Sequence, residues 1–548
     1  MTTPSWGSLG LCAAVATAGL TACDQTPTSQ HHSTPSGLVL LDQNWDDATR
    51  NKAWFTSFGS RVMPQSWFLA LEQPNARTAF NNPAYLESFG FAVPGASATN
   101  PDNLPIGLTV SKPRDGHAWL GLGCSGCHSG QVFYGDQRIH IDGGAALLDF
   151  QAFEQAAIDA LTSTLEDAEK FARFSDKIQP SKPDALRAAM REWVASLTER
   201  QHTNRTDSHY GYGRLDAFGQ IFNAVAVEFL GIPDNRREPN APVSYPVLWD
   251  ASHLDLVQWN ASAPNAGPGP LIQNATTALA VFGHLNIHDN DFGLGYKSTV
   301  EIDNLGAIQD QWYQLTSPQW PEAILGSLDQ QLIAQGADIY QRECVQCHEL
   351  SNRNDPKRIL KSTPVDVASI GTDPTMAHNF TGAHAKSGAF AGKKILFAAG
   401  PVIGETAPTI QLVAHAAVGA LLDHPLAATW QAALSMHQVD KAPLSTDPHY
   451  YKARPLSGIW SSAPYLHNGS VPTLDAMLTQ PAQRPTEFFV GKVEFDPTAV
   501  GLSNNLLDES QAHRFETRLL GNSNAGHTYG VQLSTDAKRA LIEYLKTL

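Results

Sequence analysis

Positive charge is scarce in this sequence: 37 Lys and Arg stand against 53 Asp and Glu, a formal net charge of −16. A polyanion would find little to hold, so no nucleic-acid partner is expected. Cysteine is scarcer, with six in 548 residues. Cys12 and Cys23 fall in an N-terminal apolar stretch and the other four stand as two Cys-x-x-Cys pairs, which leaves none for a structural disulfide. Long apolar runs are lacking as well. Leu9 to Leu20 is too short to span a bilayer, and no other stretch is apolar enough to do so. Proline (35) and glycine (42) are plentiful and imply long irregular loops. The length suffices for two or more hydrophobic cores.

Residues 1–23 have the form of an export signal. The apolar run ends in Leu20-Thr21-Ala22-Cys23, which resembles a bacterial lipoprotein cleavage box with Cys23 as the lipidated residue. No Lys or Arg precedes the run, so a plain secretory signal stays open. The expected location is therefore exported, periplasmic or extracellular, with a membrane tether through Cys23 if it is lipidated. Asp24 beside that anchor resembles an inner-membrane retention signal of some Gram-negative bacteria. Residues 24–37 are rich in Thr, Ser, Pro, Gln and His and read as a flexible tether.

Both cysteine pairs are followed at once by histidine, in Cys124-Ser-Gly-Cys127-His128 and Cys344-Val-Gln-Cys347-His348. A lone Cys-x-x-Cys can be a redox dithiol or half a zinc site. With the histidine added it reads as a covalent haem site: the thiols form thioethers to the vinyl groups and the imidazole ligates the iron. The short spacing bends the chain into one turn, so all three side chains face one ring. Export agrees, because c-type maturation takes place outside the cytoplasm. Two covalently bound haem c groups are expected. Candidates for a further axial ligand include twenty histidines and Met63, Met190, Met376, Met436 and Met477. His467, in Ala463-Pro-Tyr-Leu-His-Asn-Gly-Ser470, and His527, in Gly521-Asn-Ser-Asn-Ala-Gly-His-Thr-Tyr-Gly530, stand out because flanking glycines let a backbone approach a cofactor. Spacing alone does not choose between them.

The body divides into an N-terminal haem domain, 38–325, and a C-terminal cytochrome c domain, 326–548, punctuated by Trp320-Pro321 and Gly326-Ser327. Apolar residues at three- and four-residue intervals predict helices over Leu147–Phe174, Lys182–Thr198, Leu328–Tyr340 and Thr535–Leu548. A helix before the haem motif and one at the domain's end are the pair that cross in cytochrome c folds. No repeated strand periodicity is visible. The expected fold is mainly α: two cytochrome c-like haem domains with long irregular loops.

Several segments carry a family resemblance: Pro64-Gln-Ser-Trp-Phe-Leu-Ala-Leu-Glu-Gln-Pro74, the first haem motif with Ile141-Asp-Gly-Gly144, and Pro242-Val-Ser-Tyr-Pro-Val-Leu-Trp-Asp250. Val257-Gln-Trp-Asn260, Ile370-Gly-Thr-Asp-Pro374 and the stretches around His467 and His527 continue it. The chain resembles the dihaem cytochrome c peroxidase superfamily, and within it the rubber oxygenases. The resemblance implies an N-terminal haem held by His128 with an open distal face, where substrate chemistry occurs. It implies a C-terminal electron-transfer haem held by His348 and His527, with His467 shaping the pocket or meeting a propionate. It also implies a tryptophan bridge between the haems: Trp249 first, Trp259 second, with a plain core role for Trp249 equally open. Trp54-Phe55, Trp67-Phe68 and Phe89-Gly-Phe91 would line an apolar channel or belong to the core. The distal acid of the peroxidases is not matched; Glu154 and Asp142 lie in the right half. The segment that contributes to calcium binding in some members reads Ala453-Arg-Pro455, so metal other than haem iron is unassigned.

Three functions compete. One is a dioxygenase that uses O2 to cleave carbon–carbon double bonds of an apolar small molecule or polymer such as polyisoprene. Another is a peroxidase that reduces H2O2 with electrons from a redox donor protein. The third is an electron-transfer cytochrome, disfavoured because 548 residues exceed what two haems need for that task. The unmatched acid and the branch-specific segments favour the dioxygenase.

Overall fold

The computed structural model describes residues 32–111, 117–435 and 449–548. The export signal with Cys12 and Cys23, residues 24–31 of the tether and Met436 lie outside the described residues. The tether's last residues belong to the folded body. His32–Ser33 pairs antiparallel with Leu38–Leu40, in register His32 to Leu40.

That hairpin begins a six-stranded sheet. Leu38–Leu40 runs parallel to Gln137–Asp142, which forms a hairpin with Ser129–Tyr134. The next strand is Val493–Asp496 from the C-terminal half, joined through Glu494 and Phe133, and Gly501–Leu506 closes the sheet. The sheet therefore crosses the 325/326 boundary, and so does the main hydrophobic core, which contains Val39, Trp249, Tyr340 and Leu545. The described residues are 40% helical and 18% strand, a more mixed architecture than the periodicity suggests. The strands are short, and one such as Leu38–Leu40 is buried along its whole length, so no alternation marks it.

Two helices, Phe150–Glu166 and Ala168–Ile178, occupy the first long predicted stretch. The break falls at Asp167, whose carboxylate accepts the backbone N–H groups of Glu169 and Lys170 and caps the second helix. With Pro183–Thr203 they cover a cluster in which Phe89 and Phe91 pack on Phe153, and Trp67 on Phe174. Of the aromatics read as channel or core, Trp54, Trp67, Phe68, Phe89 and Phe91 are buried, and Phe55 is half-buried against the same clusters. Met63, Met190, Met376 and Met477 likewise pack into hydrophobic clusters.

In the C-terminal half, Gln330–Glu343 crosses Thr535–Leu545. The crossing depends on Gly336, where a Cβ would lie 2.1 Å from the carbonyl oxygen of Ala540. Tyr340 packs on Tyr544 at 5.3 Å, and Glu543 accepts the N–H of Asp329 at the first helix's N-terminus. Among the described residues, no single helix is long and apolar enough to cross a membrane.

Candidate functional site

The strand Trp119–Leu122 delivers the chain to Gly123, and Cys124–Cys127 then makes one helical turn. The N–H of His128 donates to the carbonyl of Cys124 at 3.0 Å. Ser125 ties this turn to the helix Asp47–Phe55 by donating to Ala53 O at 2.8 Å. Behind the turn, a Cβ on Gly107 would meet Gly126 N at 2.0 Å, so glycine is required for that approach. His128 Nδ1 lies 2.8 Å from Pro246 O. A carbonyl only accepts, so Nδ1 carries the proton and Nε2 is left as a ligand atom. Burial pulls the imidazole's pKa down to about 4, which keeps the ring neutral and able to bind iron.

The second motif follows the helix Gln330–Glu343 directly. The N–H groups of Cys347 and His348 donate to Cys344 O at 3.1 and 2.9 Å, again one turn. His348 Nδ1 lies 2.7 Å from Arg454 O, the same second-sphere arrangement as at His128. Across from it stands His527, its ring centroid 6.3 Å from that of His348. Two imidazoles that share one metal, each bonded at about 2 Å, have centroids roughly 6 Å apart. Burial and the neighbouring His348 hold His527 down at about 4, and its Nδ1 is buried without a hydrogen-bond partner.

Much of the surrounding fold positions His527. Its backbone is left-handed, at φ 46°, and its N–H donates to Ile370 O at 2.9 Å. A Cβ on Gly526 would meet the carbonyl carbon of Gly371 at 2.2 Å. Asp373 accepts the N–H of Ser523 at 3.0 Å, so Ile370–Pro374 is the seat of this loop. From below, the buried Arg484 donates to Gly526 O and His527 O, both at 3.0 Å. From the side, Asn468 donates to Gly521 O and Ser523 O, both at 3.0 Å. His467 itself stacks on Tyr451 at 4.0 Å. Its stretch props the loop, and His527 is the ring brought opposite His348.

The donor set fits haem c. Burial pushes the Cys124 and Cys127 thiols up to about 12 and Cys344 up to about 11. A redox dithiol needs the opposite shift. Among the described residues, the metal-ligand cluster is Asp291, Asp423 and His424, which contains no cysteine, so a zinc reading of the pairs finds no partners. On the strand end that holds His348 through Arg454 O, burial presses Lys452 down to about 7 and Arg454 down to about 10. Neither makes an ion pair among the described residues, and both would suit propionate carboxylates.

Comparison with known proteins gives the same direction. Residues 450–489 match a family described as RoxA-like, cytochrome c-like. The chain is 31% identical to the uncharacterized protein y4iJ of Sinorhizobium fredii (strain NBRC 101917 / NGR234) over 93% of each chain. It belongs to the same family as that protein. A second Sinorhizobium fredii relative, the uncharacterized protein y4iM, is 35% identical over 18% of this chain and 27% of its own length. The RoxA-like, cytochrome c-like region implies haem c binding and haem-based redox activity. The matched segment contains Arg454, whose carbonyl orients His348, and His467.

Trp249 is fully buried between the two motifs' supporting segments. Its indole N–H donates to Ser457 O at 2.8 Å. Pro246, which holds His128, lies just before Trp249 in the chain; Arg454, which holds His348, lies just before Ser457. Three hydrogen bonds and two short chain segments thus connect His128 and His348. Arg358 fixes the tryptophan by donating to Trp249 O at 2.7 Å and to Asp250 at 2.9 Å. Trp259 is half-buried and donates to Ser244 O at 2.9 Å, off this route.

Of the two acids considered, Asp142 is fully engaged. Arg50, Trp54 and His140 bond its carboxylate at 2.7, 2.8 and 3.1 Å, so it is a structural anchor rather than a distal acid. Glu154 differs. Burial raises its pKa to about 7 against the opposing pull of Arg200. Arg200 and Glu228 line a cavity of about 370 Å³ with Arg61, Trp193, Phe282 and His284. Sequence reasoning missed Arg484 and Lys452, and met Arg454 only within the Ala453-Arg-Pro455 segment; a basic residue carries no local signal of burial.

Proposed function

We propose that this chain is an exported dihaem c-type enzyme of the rubber-oxygenase kind, cleaving carbon–carbon double bonds of an apolar polyene or isoprenoid with O2. Bound haem would supply a redox-active iron at each motif. The observation that carries the reading is the asymmetry of the two histidines. His348 has a second imidazole placed opposite it at ligand spacing, whereas the ring nearest His128 among the described residues is Tyr245, at 6.5 Å. A site ligated on both faces suits electron transfer, and one with an open face suits substrate chemistry. His128 is held neutral and oriented by Pro246 O, and Trp249 lies on the short path between the halves.

A second reading, reduction of H2O2 with electrons from a redox donor protein, draws on Glu154. A buried carboxyl titrating near 7 is matched to moving protons at neutral pH. Incubation with polyisoprene or a shorter isoprenoid under labelled O2 separates the two. The oxygenase gives carbonyl products carrying label, without added reductant or peroxide, and Glu154→Gln leaves that activity largely intact. If the isoprenoids stay whole while H2O2 is consumed with a reduced cytochrome, and Glu154→Gln abolishes that turnover, the peroxidase reading replaces it.

A further inference from the structure

We propose that Asp291, Asp423 and His424 bind a divalent transition-metal ion of the zinc or manganese class, away from both haem motifs. One ligand atom from each of the three lies within 4.8 Å of the others. Asp423 is the decisive member. Its side chain is 1% exposed, and its Oδ1 accepts the N–H of Asp291 at 2.8 Å. Its Oδ2 is buried with no hydrogen-bond partner and lies 3.8 Å from His424 Nε2. A buried carboxylate oxygen left without a partner is costly, and a cation is the group that satisfies it.

The backbone sharpens that argument. Asp423 is the C-cap residue of the helix Thr409–Leu422. There the helix's unpaired carbonyls and macrodipole present negative potential, which opposes a carboxylate and favours a cation. The loop carrying Asp291 is pressed against the same helix end: a Cβ on Gly295 would meet Gly419 O at 2.4 Å and Asp423 N at 2.6 Å. Lys297, half exposed, pairs with Asp291 at 2.9 Å and Asp289 at 3.7 Å, and so offsets part of the acidic charge without bonding Asp423 Oδ2. One imidazole with two carboxylates is a zinc or manganese donor set; calcium and magnesium take oxygen alone. The ion would clamp the loop between Leu285–Asn286 and Lys297–Ser298 to the junction of the helices Thr409–Leu422 and Pro425–Ser435.

The test uses chelator-stripped holoprotein titrated with ZnCl2, and with MnCl2 in parallel, reading bound metal per haem iron and the thermal midpoint. One equivalent of zinc or manganese should bind and raise the midpoint. Asp423→Asn, which keeps the shape and the bond to Asp291 N–H, and His424→Ala should each weaken binding more than about tenfold with the haem spectrum unchanged. If Asp423→Asn fails to fold, the partly exposed His424 carries the test alone. Binding of neither metal, or undiminished affinity in His424→Ala, overturns the site.

Discussion

His527 is kept in a backbone conformation that costs a non-glycine residue free energy, at φ 46°. Such strain amounts to about 1–3 kcal/mol and persists only where the surroundings enforce it. Here they do: Ile370 O, Arg484 and the Gly526–Gly371 contact all fix the same loop. His527→Ala is therefore expected to keep its covalent haem while one low-spin signal becomes high-spin in the visible spectrum. His467→Ala should leave that signal in place, since its ring stacks on Tyr451 instead; the reverse outcome would exchange the two roles. Asp142 governs a different observable. Burial alone would raise its carboxyl, but His140 and Arg50 outweigh burial and hold it well below the usual range. With the folded value depressed, the unfolded chain takes up the proton first as pH falls. The stabilisation is thus complete above the unfolded value, about 4, and is lost as pH drops below it toward the folded value. Asp142→Asn should remove that acid-limb dependence and, by leaving the buried Arg50 with only the exposed Asp47 as a counter-charge, cost up to about 3–5 kcal/mol. Urea midpoints at pH 7 and below pH 4 would check both parts.

At the scale of elements, the helix crossing at Gly336 is open to disruption by a single change. A Cβ there would sit 2.1 Å from Ala540 O and 2.6 Å from Tyr544 Cβ, so the helices must separate to admit it. Gly336→Val should cost at least the roughly 1–3 kcal/mol of an overpacked core. Because the helix runs straight into Cys344, covalent haem per chain should fall as well, measured after denaturation. A full complement with an unchanged urea midpoint would mean that the crossing is not what holds this motif. These helices were legible in the sequence because each shows one apolar face and an N-cap acceptor, Asp329 or Ser534. The sheet was not legible. Its joining strands, Ser129–Tyr134 and Val493–Asp496, meet through one pairing between Phe133 and Glu494, and nothing local encodes so distant a partner. The split at Asp167 was hidden for another reason: an aspartate inside an apolar pattern reads equally as a surface position or a cap.

For the whole molecule, the cysteine motifs announced both candidate iron sites, but their asymmetry became visible only when His527, 179 positions after His348 in the numbering, was brought opposite it. The same holds for Trp249. Its Pro-Val-Leu surroundings read as core, and it is core, yet its indole N–H also closes a short bonded path between His128 and His348. A bridge and a filler respond differently to one substitution. Trp249→Phe keeps most of the apolar volume but deletes the N–H, leaving Ser457 O without its donor at a cost of about 1–3 kcal/mol. If Trp249 only fills space, the stability loss is the whole effect, and electrons pass between the haems at the wild-type rate. If the route through Pro246, Trp249, Ser457 and Arg454 carries electrons, the variant keeps both haem spectra and the low-spin ligation at His527, while the inter-haem rate drops. Reducing the C-terminal haem in a rapid-mixing or flash experiment and following the N-terminal haem measures that rate directly. An unchanged rate in a correctly folded Trp249→Phe protein removes the tryptophan from the electron path and leaves it a structural residue pinned by Arg358.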